Sequence, residues 1–355
     1  MINCLKVEKQ SAEDVRKFLY ENNLLNVDYK IAVEDNYIFL PLIKGLTFDE
    51  MMYLYSLEGF VDLVSRDDLQ KVTSKPKSHF DILETQLDPD ELEFIPRSFD
   101  TIGDIVVIEI PEQLWSKRIL IGKALMEAHK SIKSVYVKIG KVSGISRIRP
   151  VEYLVGEKKT KTIYKEHGVR LSVDITKAYF SPRLSEEHSR IAKQVSSNEL
   201  IVDLFCGVGP FVIPIAKKVQ STIHAIDINE EAINLLKENI TLNKLSGSIH
   251  AHVGDCRKIV KQENLINIAD RIIMNLPGYA INFVDVACQV LKKEGGIIHF
   301  FAFVGGEIPP EEQIVNDFTK AIEENNRTIS EIITVRKVRM SAPKQWQMVV
   351  DARVK

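Results

Sequence analysis

A chain of 355 residues exceeds what one compact core usually supports, so two or three domains are expected. Apolar residues at 45% and charged residues at 27% are the balance of an ordinary globular protein and exclude a disordered chain. The formal net charge of −2 excludes whole-molecule attraction to a polyanion, so any nucleic-acid surface has to be local.

The opening stretch MINCLKVEKQSAEDVRK is charged and lacks the apolar core of a signal peptide. No run of about 18 apolar residues follows, so no membrane span is expected. Cys4, Cys206, Cys256 and Cys288 are widely spread without a C-x-x-C pair, which argues against a disulfide framework or structural zinc and fits a reducing cytoplasm.

Ser11-Ala-Glu-Asp14 has the spacing of a helix start, and Val15–Asn22 continues it with helical periodicity. Strands are expected at Tyr29–Val33 and Tyr37–Pro41, around the turn-prone Glu-Asp-Asn. The polar stretch Ser65–Ser78 reads as a linker. A second unit begins near Phe99, with a strand at Ile105–Ile110, a helix over Ser116–Ala128 and a strand at Ser134–Ile139. From Lys117 to Arg170 there are fourteen Lys/Arg against four Asp/Glu, a local excess of ten positive charges that points to a nucleic-acid face.

From Glu199 strands and helices alternate. Strands are expected at Leu200–Phe205, Thr222–Ile228, Ile249–Val253, Arg271–Asn275 and Ile297–Val304, and helices at Pro210–Lys218, Glu230–Asn243, Ala280–Lys293 and Pro310–Asn325. This order implies a doubly wound, mainly parallel Rossmann-like α/β sheet. Thr334–Met340 and Gln345–Val354, joined by Ser-Ala-Pro-Lys, close it as an antiparallel hairpin. The domain reading is 1–70 for a small N-terminal unit with its linker, 71–172 for a basic α+β unit, and 173–355 for the α/β domain.

Ligands of open α/β sheets bind beyond the carboxyl ends of the strands. The loop Asp203-Leu-Phe205-Cys-Gly207-Val-Gly209-Pro210-Phe follows the first strand, and its glycines let a ligand approach the backbone. Pro210 suits a first helical turn. Asp227, followed by Ile228, ends the second strand, where a carboxylate can accept ribose hydroxyl protons. Asp255, followed by Cys256, ends the third and can meet an adenine edge. Asn275-Leu-Pro277 ends the fourth. A nicotinamide-binding chain more often carries G-x-G-x-x-G, but Val212 occupies the last position here. The four polar strand ends and the terminal hairpin indicate S-adenosylmethionine, and the hairpin on a parallel sheet resembles the class I methyltransferase folds. Tyr179 and Phe205 are candidate aromatic linings.

Asp203–Phe211, Asn275-Leu-Pro277, Tyr179-Phe-Ser-Pro-Arg-Leu-Ser-Glu-Glu-His-Ser-Arg190 and Arg147-Ile-Arg-Pro-Val-Glu-Tyr-Leu-Val-Gly-Glu157 together resemble the archaeal and eukaryotic tRNA (guanine-N1)-methyltransferases acting on guanosine 37. The N-terminal segment resembles the extra domain of the archaeal members, so the likeness spans the chain. It implies a middle and a catalytic domain that grip the anticodon stem-loop, and an N-terminal domain that tests the outer corner of the tRNA. A monomer without an obligate protein partner, free of any metal requirement, is expected.

Guanine N1 carries a proton at neutral pH, so transfer to it needs a base and a partner for the charge growing on O6. The resemblance assigns the base to Glu187 and the O6 contact to Arg147. Arg149 is the alternative to Arg147, and Arg183 is a further substrate contact. Asn275 can donate and accept along the guanine edge, with Pro277 stiffening its loop. His188 is expected on the helix surface, and Glu186 points elsewhere.

Two rivals remain once a uridine C5-methyltransferase is set aside. A uridine C5-methyltransferase needs a late-loop nucleophilic Cys, and none follows Cys288. A wybutosine-pathway aminocarboxypropyl transferase, or a methyltransferase on a wyosine precursor, would use the same cofactor. A tRNA-binding protein that senses the cofactor would not need Arg147, Glu187 and Asn275 together.

Overall fold

The computed structural model describes residues 1–57, 61–71, 78–140 and 148–355. They form two compact units, Met1–Lys77 and Ser78–Lys355.

The first unit runs β1 (Ile2–Glu8), α1 (Ala12–Glu21), β2 (Ala32–Glu34), β3 (Tyr37–Pro41), α2 (Phe48–Ser56) and β4 (Val61–Arg66). Its antiparallel sheet has the order β2-β3-β1-β4 and packs Leu5, Val7 and Leu40 against Val15, Leu19 and Leu54 of the two helices. Helix α2 is started by reciprocal capping: the Thr47 hydroxyl accepts the Glu50 N–H, and the Glu50 carboxylate accepts the Thr47 N–H. Strands β1 and β4 were not expected, and Ser65 and Arg66 of the expected linker belong to β4. It pairs with β1 from Ile2↔Arg66 to Val7↔Val61. An edge strand that buries Val61 alone has no apolar run, so the partner strand, not local sequence, defines it.

The second unit opens with two short helices ahead of the expected start, α3 (His79–Leu83) and α4 (Pro89–Leu92). Next come β5 (Phe99–Ile102), β6 (Ile105–Ile108), α5 (Arg118–Ala128), β7 (Ser134–Lys138), β8 (Val151–Gly156), β9 (Lys161–Glu166) and β10 (Val169–Asp174). Strands β5-β6-β7-β8 form one sheet, in which α5 carries the chain between the parallel β6 and β7. Ile121 and Leu125 of α5 and Ile82 and Leu83 of α3 cover Val106, Ile108, Val135 and Val137. Strands β9 and β10 form a separate hairpin.

The rest comprises α6 (Ser185–Gln194), β11 (Leu200–Asp203), α7 (Val212–Lys218), β12 (Thr222–Asp227), α8 (Glu230–Leu242), β13 (Ser248–Val253), α9 (Cys256–Gln262) and β14 (Arg271–Met274). It ends with α10 (Val284–Val290), β15 (Gly296–Gly305), α11 (Pro310–Glu323), β16 (Ile329–Ala342) and β17 (Gln345–Val354). The seven-stranded sheet has the order β13-β12-β11-β14-β15-β17-β16. The first five strands are parallel, and β17 and β16 close the sheet antiparallel, as the terminal hairpin implied. The expected four-residue connection is tighter, because β16 runs on to Ala342 and Lys344 adopts φ 60° in the turn. Helix α9 was not expected: its buried side chains are Cys256, Ile259 and Val260, too few for a periodic signal.

Strand order reverses between β11 and β14, which opens a crevice at the carboxyl ends of the strands. The β9–β10 hairpin buries Leu171 and Val173 with Ile233 and Leu236 of α8. Buried Asn239 seals that contact, accepting the Ser172 N–H and donating to the carbonyls of Ser172 and Val208. No helix among the described residues is long and apolar enough to cross a membrane.

Candidate active site

The glycine loop is held from below by two carboxylates. Strand β11 delivers Asp203 into the sheet, where its side chain is fully buried and Oδ1 accepts the Phe205 N–H at 3.1 Å. The chain then turns through Gly207 at φ 52° and Gly209 at φ 91°, a region side chains with a Cβ disfavour. A Cβ on Gly209 would also lie 2.5 Å from Leu236 Cδ1, so this glycine lets α8 pack against the loop. The Gly207 N–H donates to Asp227 Oδ2 at 2.7 Å, and the Asn229 N–H donates to Oδ1 at 2.9 Å.

Burial pushes the Asp203 carboxyl up to about 8; the Phe205 N–H opposes this and the charge of Asp227 adds to it. Burial also raises Asp227, against the stabilising N–H groups of Asn229, Gly207 and Ile228. The thiol of Cys206 rises well above its usual range through burial, and Cys256 rises to about 12 for the same reason. Neither cysteine is an ionised nucleophile at neutral pH.

Above the loop lies a cavity of about 180 Å³. Tyr179, Phe205, Gly207, Pro210, Asp227, Ile228, Asp255, Cys256, Asn275 and Pro277 all line it. Asp203 and Gly209 do not: the first sits under the turn as its anchor, and the second faces α8. Asp255 caps α9, its Oδ1 accepting the Arg257 N–H at 2.8 Å. The Asn275-Leu-Pro277 loop is pinned to β15 by the Phe303 N–H, which donates to the Pro277 carbonyl at 2.9 Å. Asn275 Oδ1 is buried without a hydrogen-bond partner among the described residues.

A second, more polar cleft of about 460 Å³ adjoins the first and shares Tyr179, Phe180, Ser181, Phe303 and Arg339 with it. Lys138, Arg149 and Arg183 line this cleft. Asp100 lies between Lys138 at 2.9 Å and Arg183 at 2.6 Å, and Arg149 meets Glu109 at 3.4 Å. Burial raises the Asp100 carboxyl, but the two cations outweigh it and leave the group below its ordinary range.

The helix that carries the proposed base, α6, buries a residue expected on its surface. Glu187 lines neither cavity. It is buried, pairs with Arg190 at 2.8 Å and sits 3.3 Å from Arg336 of β16, and Oε1 makes no hydrogen bond. His188 is not on the helix surface. It is 1% exposed, packs edge-on against Phe211 and lines the first cavity, with Nδ1 2.7 Å from Glu166 Oε1. Its Nε2 is buried and unpartnered among the described residues. The physical reason is the crowding of α6, where Glu187, His188, Ser189, Ile191 and Ala192 are all buried. Arg147 lies outside the described residues.

Sequence reasoning missed Arg339, Gln347 and Phe303, which line the first cavity from β15 and the terminal hairpin. None stands in a motif. Their place on this wall depends on sheet order, which no local pattern encodes.

Three family models match in series: the tRNA methyltransferase 5 N-terminal domain over residues 4–48, the TYW2 N-terminal domain over 80–160, and the TRM5/TYW2 methyltransferase domain over 162–344. The tRNA (guanine(37)-N(1))-methyltransferase Trm5b of Methanocaldococcus jannaschii is 40% identical over 99% of this chain and 98% of its own. The structure of a complex of aTrm5 and tRNALeu matches with a TM-score of 0.80 at 37% identity over 99% of both chains. The M. jannaschii TYW2 structure in complex with AdoMet matches with a TM-score of 0.56 at 29% identity, covering 73% of this chain and 99% of that one. With its glycine loop, polar strand ends and terminal hairpin in the same order, the chain belongs to the TRM5/TYW2 methyltransferase family.

Proposed function

We propose that this chain transfers the methyl group of S-adenosylmethionine to N1 of guanosine 37 of tRNA. The observation that carries the reading is the junction of the two cavities. A cofactor pocket lined by Asp227, Asp255 and Asn275, whose Oδ1 has no partner among the described residues, opens past Tyr179 and Arg339 into a cleft lined by cations. The full-length likeness to Trm5b supports the same substrate. The residues fit the cofactor: a carboxylate for ribose hydroxyls, one for an adenine amine, and a loop whose Gly207 has only the Tyr179 carbonyl oxygen, at 3.9 Å, near where a Cβ would stand. Asp203 and Gly209 serve that pocket from beneath.

When bound, S-adenosylmethionine supplies a methyl group made electrophilic by its sulfonium. The protein aligns the base and moves a proton. Asn275 Oδ1 accepts a hydrogen bond from the N–H edge of guanine, with Pro277 holding its loop to β15. Arg147, assigned by its place in the family motif, supports the charge on O6. Arg149 and Arg183 meet the RNA backbone from the second cleft.

Glu187 is the family-matched acceptor of the N1 proton. Its Oε1 is tied to Arg336 by an ion pair alone, so guanine binding has to exchange that pair for the substrate. The second reading has its own observation: His188 already lines the cavity, with one ring nitrogen beside Glu166 and Nε2 left without a partner. Glu187→Gln and His188→Gln separate the two.

The N-terminal unit, with Phe48, Met52 and Tyr55 of α2 exposed, reads the outer corner of the tRNA. The match of residues 4–48 to the methyltransferase-5 N-terminal domain also favours methyl over aminocarboxypropyl transfer. A cytoplasmic setting suits four buried free thiols.

Tritiated cofactor incubated with tRNA transcripts bearing guanosine or adenosine at position 37, followed by nucleoside analysis, tests the reading. Label is expected as 1-methylguanosine from the guanosine transcript alone. Equal label in both transcripts overturns the target, and a product mass matching an aminocarboxypropyl group overturns the reaction.

A further inference from the structure

Arg339 stands on the wall between the two cavities and lines both. It faces Gln347 across the hairpin, directly after an irregularity in the β16–β17 register between Lys337 and Arg339. Such bulges re-aim a side chain. Its Nε donates to Gln347 Oε1 at 2.7 Å, and its Nη2 donates to the Tyr179 hydroxyl at 3.4 Å. Gln347 is 1% exposed, so the anchor is rigid.

The cleft's other cations have carboxylate partners: Lys138 and Arg183 on Asp100, and Arg149 on Glu109. Among the described residues Arg339 has none; its two partners are neutral. A guanidinium has five N–H donors, so three stay uncommitted, including both on Nη1. An oriented donor fork without charge compensation therefore stands where the cofactor pocket meets the substrate cleft.

We propose that Arg339 is a specificity-determining residue that reads the Hoogsteen edge of the target guanine, donating to N7 and to the N7-facing lone pair of O6. This rests on the reading of guanine N1 as the methyl acceptor. Reaction at N1 leaves that edge free, and an arginine fork matches O6 and N7 of guanine. Adenine places an amino donor where O6 would be, so the same fork rejects it. The lone pair of O6 on the N1 side stays available for the contact that supports developing charge.

The test is a four-way cycle of single-turnover methylation at saturating cofactor, using wild type and Arg339→Met on tRNA with guanosine or 7-deazaguanosine at position 37. Removing N7 is expected to slow wild type about tenfold or more, the weight of a hydrogen bond to a charged group. Arg339→Met is expected to be slowed at least as much on guanosine and to lose nothing further on 7-deazaguanosine. An equal 7-deaza penalty in both proteins overturns the proposal and leaves Arg339 as a phosphate contact or a hairpin brace. A weakened Kd for S-adenosylmethionine without tRNA, measured by calorimetry, overturns it by assigning Arg339 to the cofactor. Should the Met variant fail to fold, Arg339→Lys, which keeps the charge and lacks the fork, takes its place in the cycle. A wild type inactive on guanosine 37 sinks the underlying reading, and this inference with it.

Discussion

The Gly207 N–H donates to Asp227 Oδ2 at 2.7 Å, so the carboxylate that ends β12 also holds the glycine loop that follows β11. The strand end that lines the pocket and the loop that floors it are thus one hydrogen-bonded unit. Asp227→Ala is expected to weaken S-adenosylmethionine binding about tenfold to a hundredfold, the range for losing hydrogen bonds to a charged group. Calorimetric titration measures this. An unchanged Kd would remove Asp227 from the cofactor site.

Asp203 predicts a pH signature. Its folded carboxyl is pushed up to about 8, above its unfolded value, so the folded state holds a proton that the unfolded state releases. The stability tied to that proton is full in acid and declines as pH rises towards 8, by at most roughly 1.4 kcal/mol per pH unit. Asp203→Asn removes the titration and keeps an oxygen for the Phe205 N–H. Denaturant melts should therefore show the variant gaining on wild type between pH 5 and 8. A constant difference across that range would refute the buried protonated carboxyl.

Behind α6, Asp351 accepts hydrogen bonds from Arg190 and His299, and Arg271 donates to the second nitrogen of His299 and pairs with Glu199. His299 and Arg190 hold the Asp351 carboxyl well below its usual range despite burial, and burial lowers the pKa of His299. Asp351→Ala strands the Arg190 guanidinium and the buried His299 N–H and is expected to destabilise the fold by about 3–5 kcal/mol in urea melts. In wild type the contribution of Asp351 is present above its unfolded pKa and is lost as pH falls below that value.

Glu187→Gln and His188→Gln separate the two candidate bases. If Glu187 takes the N1 proton, its variant loses about a hundredfold or more in single-turnover rate at neutral pH and regains part of it as pH rises. His188→Gln then changes cofactor affinity more than rate. The reverse pattern moves the base to His188. Because Glu187 also neutralises Arg190 and Arg336, each variant needs a thermal melt beside its rate.

Element order, the glycine loop and the polar strand ends were legible because turn chemistry and alternating periodicity are local. Asp227, Asp255 and Asn275 each fall at or just beyond a strand end, and the sheet brings those ends to one rim. The edge strand β4 and the short α9 were not legible, since a few buried residues carry no period. Asp203 was placed in the pocket because it begins the motif, but a side chain at a strand end points up or down according to the pleat, and here it points under the loop.

What the sequence by itself determined is therefore the glycine loop, the polar strand ends around the first cavity and the family. Tertiary structure decided which faces of α6 are buried, and so turned Glu187 towards two arginines and His188 towards the cavity. It also decided that Arg339 reaches Tyr179 across 160 positions of chain. The reason is one of range: a helix face is chosen by what packs on it, and a strand's neighbours by sheet order, and both depend on contacts far apart in sequence.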